Sequence, residues 1–193
     1  MDAFSLLKSD HRQVAELFEE LENASGKEKL NVFNQIKTAL ELHTHIEEKI
    51  FYPAVEEPKE THDLTLEAYE EHDVVKQLLK ELSGAKSAND EWEARAKVLQ
   101  ENVEHHVDEE ENELFKKASK VLSSQELETL GEEMQAEKDR KQRTATKKSG
   151  ASKSASKTKS ASTAAKRTRA SKKSASKSSS KSSRSKKSAA KKR

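Results

Sequence analysis

The chain has 193 residues, no cysteine and an overall formal charge of only +2. The lack of cysteine excludes disulfides and thiolate metal sites, so a transition metal would have to bind through histidine and carboxylate. No apolar run approaches the roughly 18 residues that a membrane span needs, and the N-terminus lacks the layout of a signal peptide. We therefore expect a cytoplasmic protein with no membrane partner.

The small overall charge hides a strong asymmetry along the chain. Residues 1–139 contain all 35 Asp and Glu against 16 Lys and Arg, a formal charge of −19, whereas residues 140–193 carry 21 positive charges. Such segregation is typical of a basic arm that binds nucleic acid or another polyanion. It also permits the arm to fold back on its own acidic domain.

Four segments in turn show apolar residues at the spacing of an amphipathic helix. The first runs from about residue 2 to 23, and the second from about residue 27 to Tyr52, where Pro53 is expected to end it. The third runs from about residue 61 to Gly84. The fourth starts near Asn89 and reaches about Leu114.

The connections between these helices are short, so neighbouring helices should be antiparallel. The sequence therefore predicts an all-α fold, an up-down four-helix bundle over residues 1–122. A short extra helix or linker should follow over residues 123–143, because Ser123 and Glu126 have the spacing of a capping box.

Each of the four helices carries one histidine on its apolar stripe. The i, i+4 spacing places a glutamate beside the histidine on the second and on the fourth helix. A single buried histidine is more often a hydrogen-bonded core residue than a ligand, but four in register with two glutamates favour a two-metal site, since buried imidazole and carboxylate are costly unless satisfied. The predicted metal ligands are His11, His43, Glu47, His72, His106 and Glu110.

The remaining ionisable residues near these positions are interpreted as peripheral. His45 and His62 lack a place on an apolar stripe and are interpreted as surface residues, and His105 lies about 100° round the helix from His106. The glutamates next to the predicted ligands are interpreted as solvated: Glu48, Glu109 and Glu111.

Three sequence patterns, LKSDH, ELHTHIEEKIFYPA and HHVDEEENELF, resemble the hemerythrin-like, HHE cation-binding domain over about residues 1–120. The resemblance implies a hemerythrin-like bundle that holds two Fe ions, an oxo- or hydroxo-bridged di-iron centre, on the six predicted ligands. Manganese or zinc would also suit imidazole and carboxylate donors.

The third helix departs from the oxygen-carrying hemerythrins, which have an HxxxH pair there. The positions four before and four after His72 are Ala68 and Lys76. Four histidines, two bridging glutamates and one oxo or hydroxo bridge leave two positions of an octahedral metal pair open, unless Tyr69 or Glu71 fills one.

Two open positions favour sensing or buffering of iron or oxygen species over reversible oxygen carriage, with O₂, peroxide or nitric oxide as the small ligand. Two alternatives stay open. One is an enzyme that removes peroxide or a related oxidant, and the other is a DNA-associated architectural protein with a purely structural bundle.

Residues 144–193 are rich in Lys, Ser and Ala and lack aromatic residues. We expect this tail to be disordered when free, because it has almost nothing to bury. Its composition resembles the basic arms of linker histones, which implies association with the nucleoid or chromatin, and a solubilising extension is the alternative. Contacts to phosphates would make binding sequence-independent. The predicted nucleic-acid-binding residues are Lys147, Lys148, Lys166, Arg167, Arg169, Lys172, Lys173, Lys186, Lys187, Lys191, Lys192 and Arg193.

Overall fold

The computed structural model describes the backbone of residues 1–164 and the side chains of residues 1–144. Within these residues the protein is helical and contains no strand, as the sequence predicts. The α-helices are α1 (Ala3–Asn23), α2 (Gly26–Ile46), α3 (Tyr52–Val55), α4 (Lys59–Leu82), α5 (Asp90–Glu109), α6 (Phe115–Val121) and α7 (Ser124–Ala164). Two π-helical turns interrupt them: π1 (Glu47–Phe51) joins α2 to α3, and π2 (Glu110–Leu114) joins α5 to α6.

The four long helices α1, α2, α4 and α5 form the bundle. Helix α1 packs against α2 and α5, and α4 packs against the same two helices, so each helix has an antiparallel neighbour on either side. This arrangement follows from the short connections and confirms the predicted bundle. None of the helices in the described part of the chain combines the length and the apolar character needed to cross a bilayer.

Helix ends form where the sequence supplies caps. The Asp2 carboxylate accepts the backbone N–H of Ser5 at 3.0 Å, and the Asn89 side chain accepts that of Trp92 at 3.0 Å. Ser123 and Glu126 form the predicted capping box: the backbone N–H of each is bonded to the side chain of the other, at 2.7 and 3.3 Å. Such caps stabilise a helix by about 1 kcal/mol each.

The bundle interior contains two apolar clusters separated by a polar layer. The Trp92 cluster fills one end and comprises Val14, Phe18, Leu21, Val32, Phe33, Ile36, Leu40, Val75, Leu79, Leu82, Trp92, Ala96, Leu99 and Val103. The Phe115 cluster fills the other end and comprises Ala3, Leu6, Leu7, Ile46, Phe51, Tyr52, Val55, Ala68, Leu114, Phe115, Ala118 and Met134. Each large side chain buried here stabilises the fold by about 1.5–3 kcal/mol.

Pro53 does not end the second helical segment, and this expectation was wrong. The chain remains helical through π1 and α3 to Val55. In π1 the backbone N–H of Tyr52 bonds to the carbonyl of Glu47, five residues earlier. A π-turn widens the helix locally, which gives the proline ring room that a regular helix would deny it. Pro53 then occupies the first turn of α3, where its missing N–H costs little.

The last helix is longer than the sequence predicts. Helix α7 begins at Ser124 but continues to Ala164 instead of ending near residue 143. Residues 144–164 contain more Ser, Thr and Gly than Ala and Lys, so helix propensity does not indicate this extension. The chain divides into a unit Met1–Lys147, which holds the bundle, and a unit Lys148–Arg193. Of the second unit, residues 148–164 are described and are helical.

Candidate metal centre

The six predicted metal ligands meet in the polar layer between the two apolar clusters. His11 comes from α1, His43 from α2, His72 from α4 and His106 from α5. Glu47 and Glu110 are the first residues of π1 and π2. The six side chains are buried, and the most exposed of them, His11, retains only 6% of its surface. The bundle therefore brings one imidazole from each long helix and two carboxylates to one place.

One group of donors joins α1, α2 and the start of π2. The Nε2 atom of His11 lies 3.1 Å from Nε2 of His43 and 3.2 Å from Oε2 of Glu110. The Nε2 atom of His43 lies 3.1 Å from Oε2 of Glu47. One ligand atom from each of these four residues lies within 4.8 Å of the others, which is close enough for a single cation.

A second group of donors lies on the α4 and α5 side. The Nε2 atom of His72 lies 3.2 Å from Nε2 of His106 and 3.4 Å from Oε2 of Glu47. Donor atoms of these three residues also lie within 4.8 Å of one another. Glu47 belongs to both groups, so its carboxylate has the position of a bridge between two cations.

The carboxylate oxygens at the centre fit a cation because the protein leaves them unsatisfied. Both oxygens of Glu47 and both of Glu110 are buried and have no hydrogen-bond partner of acceptable geometry among the described residues. A buried polar group left in this condition costs about 1–3 kcal/mol. Burial and the adjacent Glu47 raise the pKa of Glu110, while His43 and His72 outweigh burial and lower the pKa of Glu47. Positive charge between the two carboxylates would satisfy both.

A second layer of carboxylates orients the histidines from behind. The Nδ1 atom of His106 donates to Glu71 at 2.7 Å, and that of His43 lies 3.6 Å from Asp10. The remaining two histidines donate from Nδ1 to the residue that follows each central glutamate: His11 to Glu111 at 2.8 Å and His72 to Glu48 at 2.9 Å. This arrangement turns every Nε2 atom toward the centre, as metal-binding histidines require.

Glu48 and Glu111 are therefore not merely solvated neighbours, and that interpretation was wrong. Each contacts a histidine on another helix, an interaction across helices that residue spacing within one helix does not reveal. Lysines reach three of the four outer carboxylates. Lys138 of α7 donates to Asp10 at 2.6 and 2.7 Å, Lys76 lies 2.7 Å from Glu48, and Lys8 lies 3.5 Å from Glu111.

Tyr52 approaches the centre, a position that the spacing of the sequence does not predict. Its hydroxyl lies 3.2 Å from Nε2 of His72, and burial together with Glu47 raises its pKa. In an uninterrupted α-helix, residue 52 would lie about 140° round from Glu47. The extra residue of π1 gives Tyr52 the place of an i+4 neighbour. A proline directly after a helical stretch usually marks the end of a helix, so this position of Tyr52 had no signal in the sequence.

The two additional ligands considered from sequence lie elsewhere. Tyr69 is half-buried and packs edge-on against the ring of Tyr52, with 5.1 Å between centroids. Glu71 accepts the hydrogen bond from His106 and so supports a predicted ligand rather than joining the central donors. Ala68 is buried in the Phe115 cluster, and Lys76 binds Glu48, so neither neighbour of His72 on its helix supplies a fifth imidazole.

The three histidines outside the centre differ in their exposure. His62 is exposed and contacts the carbonyl of Glu56 at 2.9 Å. His105 is also exposed and lies beside Glu71 and Glu109. His45 is half-buried rather than a free surface residue, because its Nε2 atom lies 2.7 Å from Glu137 of α7. The side chains of the predicted nucleic-acid-binding residues lie outside the described ones.

Comparison with known proteins identifies the family to which the bundle belongs. Residues 2–118 match the model of the hemerythrin HHE cation binding domain. A crystal structure of a hemerythrin HHE cation binding domain-containing protein from Mycobacterium kansasii is 26% identical, with a TM-score of 0.68, and the alignment covers 77% of this chain and 91% of that one.

A protein of Nostoc sp. described as a DNA nickase is 31% identical over 141 residues, which is 72% of this chain. The chain spans only 40% of the length of that relative. The match to the family model covers more than half of the sequence and includes every one of the six central residues. This chain therefore belongs to the hemerythrin HHE cation-binding domain family.

Proposed function

We propose that this protein holds a di-iron centre in its bundle, that the centre senses or buffers iron or oxygen species, and that the basic tail tethers it to nucleic acid. The observation that carries the proposal is the set of unsatisfied carboxylate oxygens of Glu47 and Glu110 among four inward-facing imidazoles. Buried carboxylate oxygens without hydrogen-bond partners are costly, and two divalent cations would satisfy them.

Two ions are favoured over one because the donors form two groups that share Glu47. A single closed zinc site uses four ligands, which would leave two buried ionisable side chains without a role. Nitrogen and oxygen donors are suited to iron, and the family resemblance favours iron over manganese or zinc. A bound iron pair would supply redox chemistry and the capacity to bind a small ligand.

The surroundings of the centre suit a small, uncharged ligand. A cavity of about 10 Å³ adjoins the four histidines, on the side of the Trp92 cluster. Its other walls are almost entirely apolar: Val14, Leu40, Thr44, Val75, Val103 and Val107. A cavity of this size admits about one water-sized molecule. The valines exclude bulk water, and a diatomic ligand such as O₂ or nitric oxide fits both the size and the polarity.

Tyr52 gives the opposite side of the centre a polar group. Its hydroxyl can donate a hydrogen bond toward the central carboxylates, because its raised pKa keeps the proton in place. Three of the outer carboxylates accept from Nδ1 of His11, His72 and His106, which leaves the Nε2 atom of each as the one that would bind a metal. The chain thus supplies fixed imidazole ligands, an apolar cavity beside them, and the hydroxyl group of Tyr52 as a proton donor.

Metal analysis of the full-length protein tests the first part of the proposal. We expect about two Fe per chain and the absorption of an oxo-bridged pair. The variants His72→Ala and Glu110→Ala should fall below two Fe, whereas His62→Ala, which removes an exposed histidine, should not. Protein that is grown with iron and carries no stoichiometric metal would contradict the proposal. Rapid peroxide turnover by the iron-loaded protein would favour an enzyme over a sensor.

The tether rests on the 21 positive charges of residues 140–193. If half of them meet phosphates, the logarithm of the affinity for duplex DNA should fall against log salt with a slope of roughly −9. DNA binding can be measured as a shift of duplex DNA in a gel. Replacement of the twelve predicted tail residues by Gln should abolish this shift, whereas replacement of Lys97, Lys116 and Lys117 on the bundle should not. Full-length protein that ignores DNA at low salt would remove the tether from the proposal.

A further inference from the structure

We infer that Glu71, His105 and Glu109 form a surface site that captures a divalent cation and passes it to the buried centre. The inference rests on the proposed metal function and adds the route by which the metal enters. The buried centre needs such a route because its six donors are almost entirely enclosed.

The three residues offer donor atoms to one point. The Nε2 atom of His105 lies 3.6 Å from Oε1 of Glu71 and 3.4 Å from Oε1 of Glu109. One ligand atom of each lies within 4.8 Å of the others. The His105 side chain is 63% exposed, while those of Glu71 and Glu109 are 20% and 30% exposed. One imidazole and two carboxylates at the surface can replace part of the hydration shell of an arriving cation.

One small cavity adjoins both this site and two of the central ligands. A cavity of about 10 Å³ between α4 and the start of π2 is lined by Leu64, Ala68, Glu71, His106, Glu109, Glu110 and Leu114. Glu71 and Glu109 of the surface site therefore share one cavity with the central ligands His106 and Glu110. Both oxygens of Glu110 are buried without a hydrogen-bond partner within the described residues. Glu110 lines this cavity, so its carboxylate can accept the cation there.

Glu71 connects the surface site to the buried centre. Its Oε2 atom holds Nδ1 of His106 at 2.7 Å, and its Oε1 atom faces His105. A cation bound at the surface site therefore lies one carboxylate away from a central imidazole. Because the surface site is exposed and offers only three donors, it should bind the metal more weakly than the enclosed centre. The gradient in affinity favours inward transfer.

The charges around the centre single out this entrance. Lysines neutralise the other three outer carboxylates, Asp10, Glu48 and Glu111. In the part of the chain that the structure describes, Glu71 is the outer carboxylate that no lysine contacts. The local charge at the surface site is therefore negative, while a cation approaching any other outer carboxylate meets a positive side chain. Such a field concentrates cations and raises association rates.

The rate of metal loading into the metal-free, full-length protein tests the inference, with Co²⁺ as the probe and stopped-flow absorption as the readout. The variants are His105→Asn and Glu109→Gln, singly and together. Glu71 is left unchanged because it supports His106. Glu101→Gln and Glu104→Gln are the matched controls, since each removes one exposed carboxylate from the same helix.

We expect the double variant to load about tenfold more slowly than the unaltered protein. It should still reach two Co²⁺ per chain at equilibrium, and the controls should stay within about twofold of the unaltered rate. Loading at the unaltered rate would overturn the inference, and so would a double variant that binds fewer than two Co²⁺ at equilibrium. If the unaltered protein itself fails to bind two Co²⁺, the proposed metal function fails instead, so the two failures are distinguishable.

Discussion

The two halves of the bundle carry the same donors in the same order, but their surroundings differ. In the half formed by α1 and α2, an acidic residue precedes the first histidine, and an HxxxEE sequence follows on the next helix. The half formed by α4 and α5 repeats this pattern. The corresponding residues are Asp10 and Glu71, His11 and His72, His43 and His106, Glu47 and Glu110, and Glu48 and Glu111.

The differences lie just outside the donors. Helix α7 contacts the first half, where Lys138 binds Asp10, and the equivalent Glu71 faces His105 instead. The residue that follows the π-turn is Tyr52 in the first half and Phe115 in the second, so only one of the two supplies a hydroxyl group. The two halves therefore share their central side chains and differ in the residues around them.

The largest expected effect comes from the two central glutamates, which are equivalent in sequence but not in geometry. Glu47 belongs to both donor groups, whereas Glu110 belongs to one. Glu47→Ala should therefore lose nearly all bound metal, while Glu110→Ala should retain about one ion per chain. Metal analysis of the two purified variants measures this. Equal losses would show that the halves share both carboxylates alike.

The next effect is a dependence of metal binding on pH. Burial alone would lower the pKa of His43, but Glu47 and Asp10 raise it to about 10 in the metal-free protein. Burial likewise opposes Glu47 and Glu48 at His72, whose pKa is raised to about 9. Both histidines are therefore positively charged at pH 7, and a metal must displace one proton from each.

Metal affinity should accordingly rise between pH 7 and pH 9, with release of about two protons per chain at pH 7. The stability that these histidines give the metal-free protein should have the opposite trend, fully present below about pH 6.5 and lost as the pH rises through 9 to 10. Calorimetry in buffers of different ionisation enthalpy counts the protons. Metal binding without proton release would contradict the assignment.

A smaller effect concerns the outer carboxylates. Asp10→Asn and Glu71→Gln should each weaken metal binding by about 10- to 100-fold, because each supports a central histidine. Lys138→Met should change the metal affinity of the first half alone, because Lys138 contacts Asp10. Competition with a chelator measures the affinities. If Lys138→Met weakens metal binding and Asp10→Asn does not, Lys138 does not act through Asp10.

The smallest expected effect tests how α7 covers the first half. A Cβ atom on Gly131 would clash with the carbonyl oxygen of Met1 and lie 2.7 Å from the carbonyl carbon of Asp2. Gly131→Ala should therefore push α7 away from the N-terminus and destabilise the protein by about 1–2 kcal/mol. Gly84→Ala is the control, because nothing lies within 4 Å of a Cβ atom there. Urea unfolding of both variants decides whether the contact is as tight as described.

The sequence was sufficient to predict the bundle and the six side chains that meet at its centre, because both depend on helical periodicity. His11 and His72 lie on apolar stripes, and the HxxxE spacing holds as far as Glu47 and Glu110. Beyond those glutamates the period changes in the two π-turns. The contacts of Tyr52, Glu48 and Glu111 follow from that change and from neighbouring helices, which residue spacing along one helix does not reveal.

X-ray diffraction from iron-loaded crystals, recorded at the iron absorption edge, tests the central claim most directly. We predict two anomalous peaks about 3.5–4 Å apart. One should lie among His11, His43, Glu47 and Glu110, and the other beside Glu47, His72 and His106. A single peak, or iron only at the surface among Glu71, His105 and Glu109, would contradict a two-metal centre in the bundle.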